Sequence, residues 1–352
     1  MLLTVLTEYI ILIIYDSFVT LILVLFILFI FRIKDSGIRI LFFFLPLIKP
    51  FLVIAERFKP YPGYAGGSTI ESGLRIPDPT NMFGGFKSHD TFNLFVSDIN
   101  YQLILISVMI ILFILIIRWI NLYLFYRRLA FEEKVTRDEV PAIFDIMDKF
   151  AEVIAIKIPD VSLTHRKYTS PFVVGIKNVT LVMCPQLFEI LDQSEKETVL
   201  HHELSHVKRK DNLISWIAMM LKDLLFFNPF AHIAYHLIRA EQDSGSDRVM
   251  IKYSGRPKKE IAKSLLSAIM KLKSAGSEGS VAGPAQALNF NHREFFSQHI
   301  LKNRIRSILR TDGDRIHMRV FPGIMMFILF FLILVLQILF IVNIKDINIY
   351  LR

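Results

Sequence analysis

Cysteine is almost absent from this chain of 352 residues, which has only Cys184. A single cysteine excludes an intrachain disulfide and any metal site built from several thiolates. We therefore expect Cys184 to be a packing residue and any metal ligands to come from other residue types.

Acidic residues are outnumbered by basic ones. The chain has 41 Lys and Arg residues and 32 Asp and Glu residues, for a net charge of +9. A basic protein can bind nucleic acid, but the sequence contains no nucleic-acid-binding motif, so no direct nucleic-acid partner is expected. Much of the basic charge instead flanks long apolar runs, at 32–39, 126–134 and 315–319. We interpret this charge as a membrane-topology signal.

Apolar residues make up 53% of the chain, whereas soluble domains have about 45–50%. They cluster in long runs at 18–31, 101–117 and 320–344, each close to the roughly 20 residues that cross a bilayer. A buried core helix would explain one such run but not three. The sequence thus predicts a multi-pass protein of the cell membrane that contacts membrane lipid.

A further apolar run, 38–58, has Pro46, Lys49 and Pro50 in its middle. Proline removes a backbone donor and kinks a helix, so we predict a kinked or re-entrant second span. The predicted organisation is two spans in 1–58, an extracytoplasmic loop 59–100, a third span 101–126, a soluble domain 127–319, a fourth span 320–344 and a short extracytoplasmic tail 345–352.

Orientation follows from the basic ends of the predicted spans, which should face the cytoplasm. This places the soluble domain in the cytoplasm. The N-terminus has no basic n-region and no cleavage site, so we do not expect a signal peptide.

The soluble domain is predicted to be α+β. A helix is expected at 137–156, followed by strands at 160–166, 171–176 and 179–185, the last two joined by the turn sequence GIKN. The next helix, 194–210, should begin with a capping box formed by Ser194 and Glu197.

This helix contains the run His202-Glu203-Leu204-Ser205-His206. Residues four apart share a face of a helix, so His202 and His206 can reach one ion. Imidazole ligands suit Zn²⁺, and Glu203 is placed to act as the base that activates water. A chance helix with two surface histidines would be the alternative.

A third, acidic ligand should come from a later helix, which Asn228 would cap and Pro229 would open. This helix carries Glu241, Asp243 and Asp247, the last two on one face. They would otherwise form a solvated acidic patch beside Arg239 and Arg248.

Four stretches together resemble the BlaR/MecR-type membrane zinc peptidases, the transducers of β-lactam sensing: SPFVVGIKNVTLVMCPQLFEI, KETVLHHELSHVKRKDN, FFNPFAHIAYHLIRAEQDSGSD and LKNRIRSIL. The order of three spans, a cytoplasmic zinc domain and a fourth span also matches.

The resemblance implies an α-helical membrane protein of four spans with an inserted zincin-like domain that holds one Zn²⁺. His202 and His206 would be ligands, and Glu203 would be the base. The family's E-x-x-x-D element falls on Asp243 and Asp247, so we expect Asp243 as third ligand, with Glu241 as the alternative, and Asp247 as the acceptor that holds a ligating histidine.

The resemblance further implies cleavage of a protein substrate in regulated proteolysis, for example of a transcription repressor. The sensing members carry a penicillin-binding domain after the last span, whereas this chain ends at Arg352, so direct β-lactam acylation is not expected. The alternatives are an HtpX-type quality-control protease that acts on membrane proteins and a non-catalytic receptor scaffold. A homo-oligomer is left open.

Overall fold

The computed structural model describes residues 2–57, 97–130, 134–164, 171–276, 304–309, 325, 327–328 and 330–332. Most of the predicted loop 59–100 and of the predicted span 320–344, and the whole predicted tail 345–352, lie outside these residues.

Two long apolar helices match the first and third predicted spans. They are α1, Leu2–Ile30, and α3, Ser97–Ala130. The segments Ile13–Ile30 of α1 and Met109–Arg128 of α3 are long and apolar enough to cross a membrane, with mean hydropathies of 2.7 and 2.1. These are the two such segments within the described part of the chain.

The predicted second span is a continuous helix, α2, Ser36–Arg57, which runs through both prolines. Pro50 cannot donate to the carbonyl of Pro46 one turn earlier, and the Ser17 hydroxyl donates to that carbonyl instead, at 3.3 Å. Phe42 and Phe43 of α2 are fully buried in a core shared with α1 and a later helix. Whether α2 spans the bilayer stays a prediction.

A small sheet forms the base of the domain that follows α3. Its strands are β1, Lys134–Val135; β2, Asp160–Leu163; β3, Phe172–Val174; and β4, Thr180–Met183. They lie in the order β1-β2-β4-β3, with β2 parallel to β4 and the other pairs antiparallel. The predicted hairpin between β3 and β4 is confirmed, and Gly175 supplies its positive φ of 91°.

Six helices complete the domain: α4, Pro141–Ile154; α5, Pro185–Glu189; α6, Gln193–Arg209; α7, Asp211–Leu224; α8, Pro229–Tyr253; and α9, Lys258–Gly276. Residues 304–309 form a further helical segment. The predicted Asn228 cap of α8 is confirmed, because its side chain accepts a hydrogen bond from the backbone N–H of Phe230.

The predicted capping box of α6 is wrong by two residues. Asp192 is the N-cap, and it exchanges hydrogen bonds with Glu195. The predicted pair is engaged elsewhere: the Ser194 hydroxyl lies 2.6 Å from that of Ser264 on α9, and Glu197 faces Arg256.

Two cores result from this arrangement. One lies between the sheet, α4 and α6, and includes the fully buried Met147, Leu181, Leu200 and Leu204. The other joins α1, α2, α7 and α8. Since α6 belongs to the first core and α8 to the second, a site between α6 and α8 lies where the two cores meet.

Candidate metal centre

His202 and His206 of α6 and Asp243 of α8 form a compact group, in which one potential ligand atom from each residue lies within 4.8 Å of the others. The Nε2 atoms of the two histidines are 3.2 Å apart, and His206 Nε2 lies 3.7 Å from Asp243 Oδ1. Tetrahedral ligands about 2.1 Å from a Zn²⁺ ion are roughly 3.4 Å from each other. The three donors therefore fit one such ion in both type and spacing.

Small residues allow α8 to lie close to α6 at this point. A Cβ atom at Gly245 would collide with Cζ of Arg209 on α6 and with the hydroxyl oxygen of Ser36 on α2. The Ser246 hydroxyl reaches His206 Nδ1, at 3.0 Å. Short side chains in the turn after Asp243 thus bring an aspartate within reach of the histidines.

Glu203 follows the first histidine, is half-buried, and lies close enough to His202, His206 and Asp243 to interact with their charges. Burial raises the pKa of its carboxyl, and the charge of Asp243 adds to this effect, whereas His206, His202 and Arg304 oppose it. A carboxylate whose pKa is raised toward neutrality is a better proton acceptor and donor at physiological pH than an exposed glutamate.

His206 is oriented by a carboxylate that the sequence analysis did not identify. Its Nδ1 lies 2.8 Å from Oδ2 of Asp211, the first residue of α7. Arg209 donates to the same oxygen at 3.2 Å. Although burial alone would raise it, the hydrogen bonds and charges of His206 and Arg209 lower the pKa of Asp211. An ionised Asp211 that accepts from Nδ1 leaves Nε2 of His206 free to bind a metal ion.

His202, like His206, lies beside an aspartate and an arginine. Its Nδ1 lies 3.0 Å from Oδ1 of Asp247, although the angle is not that of a hydrogen bond. Arg304 donates to both oxygens of Asp247, at 2.9 and 2.8 Å, and its Nη2 lies 3.4 Å from His202 Nε2. Burial opposes ionisation, but Arg304 and His202 lower the pKa of Asp247. Asp247 therefore lies beside His202, and its role as the acceptor that holds this histidine stays a prediction.

Glu241, the alternative third ligand, lies outside the group. Its carboxylate pairs with Arg39 of α2 at 2.6 Å and faces Arg248 at 3.8 Å. Two residues turn through about 200° on a helix, so Glu241 and Asp243 point to opposite sides of α8. The assignment of Asp243 as a ligand stays a prediction, which this geometry favours.

Asp211 and Arg304 are the site residues that sequence reasoning missed. Asp211 directly follows Lys210, which ends α6 in the left-handed conformation with φ of 57°. An acidic residue just after the helix that carries both histidines could therefore have been predicted as a partner of His206. Arg304 lies in the segment 301–309 that carries part of the resemblance, but no local pattern links it to Asp247.

We expect Asp211→Asn to weaken metal binding by about 10–100-fold, as loss of an outer partner of a metal-binding histidine does elsewhere. The amide can donate as well as accept, so it no longer specifies which nitrogen of His206 carries the proton. Metal affinity by competition with a chelator measures this effect. Asp160→Asn, which removes the same charge from an exposed ion pair with Lys134, is the matched control. Equal affinities for the two variants would contradict a role for Asp211.

Comparison with known proteins places these residues among membrane peptidases. The sequence model of the family described as BlaR1 peptidase M56 matches residues 76–294. A protease HtpX homolog of Thermococcus sibiricus is 32% identical over 98 residues, which cover 27% of this chain and 32% of that protein.

Two other protease HtpX homologs give similar values. The protein of Streptococcus agalactiae serotype III is 33% identical over 90 residues, 25% of this chain and 30% of its own length. That of Pyrococcus abyssi is 29% identical over 117 residues, 32% and 40% of the respective lengths. In each case the match spans less than half of the relative.

Proposed function

The chain belongs to the BlaR1 peptidase M56 family and is a membrane metallopeptidase, and on this premise we propose that it is a zinc-dependent endopeptidase with one ion per chain. His202, His206 and Asp243 would be the ligands, and Glu203 the general base. The observation that carries the proposal is the convergence of these three donor side chains beside Glu203, in a site where His202 is buried and the other three residues are half-buried.

The chemistry divides between the ion and the protein. A bound Zn²⁺ would polarise the scissile carbonyl and lower the pKa of the attacking water. Glu203 accepts the proton of that water and returns it to the leaving nitrogen, so that no covalent intermediate is needed. Asp211 lies within hydrogen-bond distance of Nδ1 of His206 and leaves its Nε2 available as a ligand, and Asp247 would do the same for His202.

An extended substrate could be held by the edge of the sheet. In the described part of the sheet β3 is an outer strand, so its outer edge is the candidate for pairing with an extended substrate. The side chain of Asn212 on α7 donates to the carbonyl of Gly175 at the end of β3, at 3.0 Å. This bond holds the end of β3 next to α7, and a substrate strand could add to the outer edge of β3 by backbone hydrogen bonding.

The biological role we propose is regulated proteolysis of a cytoplasmic protein such as a transcription repressor. The family membership supports it. The second candidate is membrane-protein quality control, which the similarity to protease HtpX homologs supports. A receptor scaffold without activity is disfavoured, because such a protein needs no base beside its ligands.

Proteome comparison between cells with the wild-type protein and cells with Glu203→Gln separates these roles. Regulated proteolysis predicts that one or a few proteins accumulate in full-length form in the variant. Quality control predicts accumulation of many membrane proteins, most of all under folding stress. An unchanged proteome under all conditions would contradict both.

Membrane topology gives an independent test of the cytoplasmic location. A cysteine introduced at residue 75 should react with an impermeant thiol reagent added to intact cells, and one at residue 275 should react only after lysis. The buried Cys184 is the single native thiol, so the background is low. The opposite labelling pattern would place the metal centre outside and exclude a cytoplasmic substrate.

A further inference from the structure

We propose that the α7–α8 hairpin, residues 211–241, is inserted into the bilayer beside α1 and α2, and that its outer face binds lipid acyl chains. The inference rests on contacts outside the metal centre and does not depend on the proposed function. It concerns helices that lie between the metal-site residues of α6 and those of α8.

The depth of the hairpin follows from a buried contact at its tip. Asn228, between α7 and α8, donates from Nδ2 to the hydroxyl oxygen of Ser17 at 2.7 Å, and both residues are fully buried. Ser17 lies in the apolar segment Ile13–Ile30 of α1. At 1.5 Å per residue it is about 20 Å from Ile30, within a hydrocarbon core about 30 Å thick.

A contact between two aromatic rings places the hairpin tip at the same position along α1. Phe230, in the first turn of α8, packs on Phe18 of α1 with the ring centroids 4.9 Å apart. The opposite end of the hairpin stays near the end of the apolar segment, because Glu241 pairs with Arg39 of α2, just beyond the connection between α1 and α2. If α1 crosses the membrane, the tip of the hairpin is carried about two thirds of the way across.

The inner face of the hairpin shares one core with α1 and α2. Seven of its buried residues belong to the same apolar cluster as Val24, Phe42 and Phe43, namely Ala218, Met219, Leu225, Ala231, Ala234, Tyr235 and Ile238. Since the contact is apolar and continuous, the hairpin and the two helices form one packed unit.

The outer face is apolar as well. The exposed residues between 213 and 236 are Leu213, Ile217, Met220, Phe226, Pro229, Ile233 and His236. Positions 213, 217 and 220 follow the spacing of one helical face. Six of the seven have no polar side chain, and the exception, His236, packs against the ring of Tyr235. A surface helix in water would present charged residues at such positions.

The charged residues near the tip are turned inward and paired, as a lipid environment requires. Lys222 and Asp223 are buried and pair with each other at 2.9 Å. Asp223 also accepts from the Trp119 indole at 3.2 Å and pairs with Arg118 of α3 at 3.4 Å. These contacts connect the hairpin to α3, whose residues 109–117 are all apolar and, except for Leu115, exposed.

Spin-label accessibility in lipid vesicles tests the insertion. In a Cys184→Ala background, Ile217→Cys and Phe226→Cys carry a nitroxide, and its relaxation is measured with oxygen, which partitions into lipid, and with a water-soluble nickel chelate. Ile190→Cys is the control, because Ile190 has the same exposure as Ile217, 44% against 45%, but lies in the soluble domain. The labelled background without an introduced cysteine gives the blank.

We expect the oxygen-to-nickel accessibility ratio to be several-fold higher at 217 and 226 than at 190, and higher at 226 than at 217. Equal ratios at all three positions would show that the hairpin faces water. Low accessibility to both reagents at 217 and 226 would show that protein, either a second copy or another partner, covers this face. Either result would overturn the proposal.

Discussion

Glu203→Gln is expected to retain its metal ion and to lose protease activity by at least about 10²–10⁴-fold, the contribution of a positioned general base or acid. Glutamine has nearly the same shape as glutamate but cannot accept the proton of the attacking water. The three proposed ligands are unchanged, so metal binding is preserved. Cleavage of an unfolded model protein and metal content, measured on the same purified sample, give the two quantities.

The matched control is Glu197→Gln, six residues earlier on α6. Glu197 lies on the same helix but faces Arg256 rather than the metal centre, so its loss should leave the rate nearly unchanged. Wild-type cleavage by the Glu203 variant would refute the assigned mechanism. Loss of metal from that variant would instead show that Glu203 supports the ligand geometry.

Asp243→Ala is expected to lose its metal ion under conditions in which Glu241→Ala keeps most of it. Asp243 is grouped with the two histidines, so its removal leaves two protein ligands where a catalytic zinc site has three. The loss of affinity should therefore exceed the 10–100-fold that removal of an outer partner causes. Metal content after extensive dialysis, for both purified variants, distinguishes the two carboxylates.

Glu241→Ala controls for the loss of an acidic side chain from the same helix. It breaks the ion pair with Arg39 and can lower stability, so a thermal unfolding measurement should accompany the metal analysis. Zinc loss confined to the Glu241 variant would reverse the assignment. Retention of the metal by both variants would mean that the third ligand lies elsewhere.

Local patterns in the sequence predicted much of the fold. The helix near 141–154, the β3–β4 hairpin and the start of α8 depend on apolar periodicity, a turn glycine and an Asn-Pro pair, and the structure confirms each. These features are determined by residues close together in the chain, which explains why a single sequence sufficed.

The start of α6 shows where local patterns fail. Asp192 with Glu195 and Ser194 with Glu197 both have the spacing of a capping box. The structure selects the first pair, and α9 contributes to that choice, because Lys271 pairs with Glu195 at 2.7 Å and Ser264 holds Ser194. Since these residues of α9 are some seventy positions from α6 in the chain, the sequence around α6 does not show which of the two pairs forms the cap.

Some residues of the candidate metal centre could likewise be predicted from local sequence, and others could not. His202, Glu203 and His206 are recognisable because the spacing of one helix places them together. Arg304 is 57 residues from Asp247 in sequence, and the packing of Ile308 against Ala262 and Leu265 helps to hold its segment at the site. Contacts of this kind arise from tertiary packing and leave no periodic signal.

The 25-residue helix α8 also has a mechanical consequence. It is held near Asn228 by α1 and carries Asp243 fifteen residues later, which is about 22 Å along the axis. If the helix moves as a rigid rod, a tilt of about 3° at the Asn228 end displaces Asp243 by about 1 Å. A misplacement of about 1 Å can cost about 10²-fold in rate. The angle between α8 and the helices α1 and α2 thus determines where Asp243 lies in the candidate metal centre.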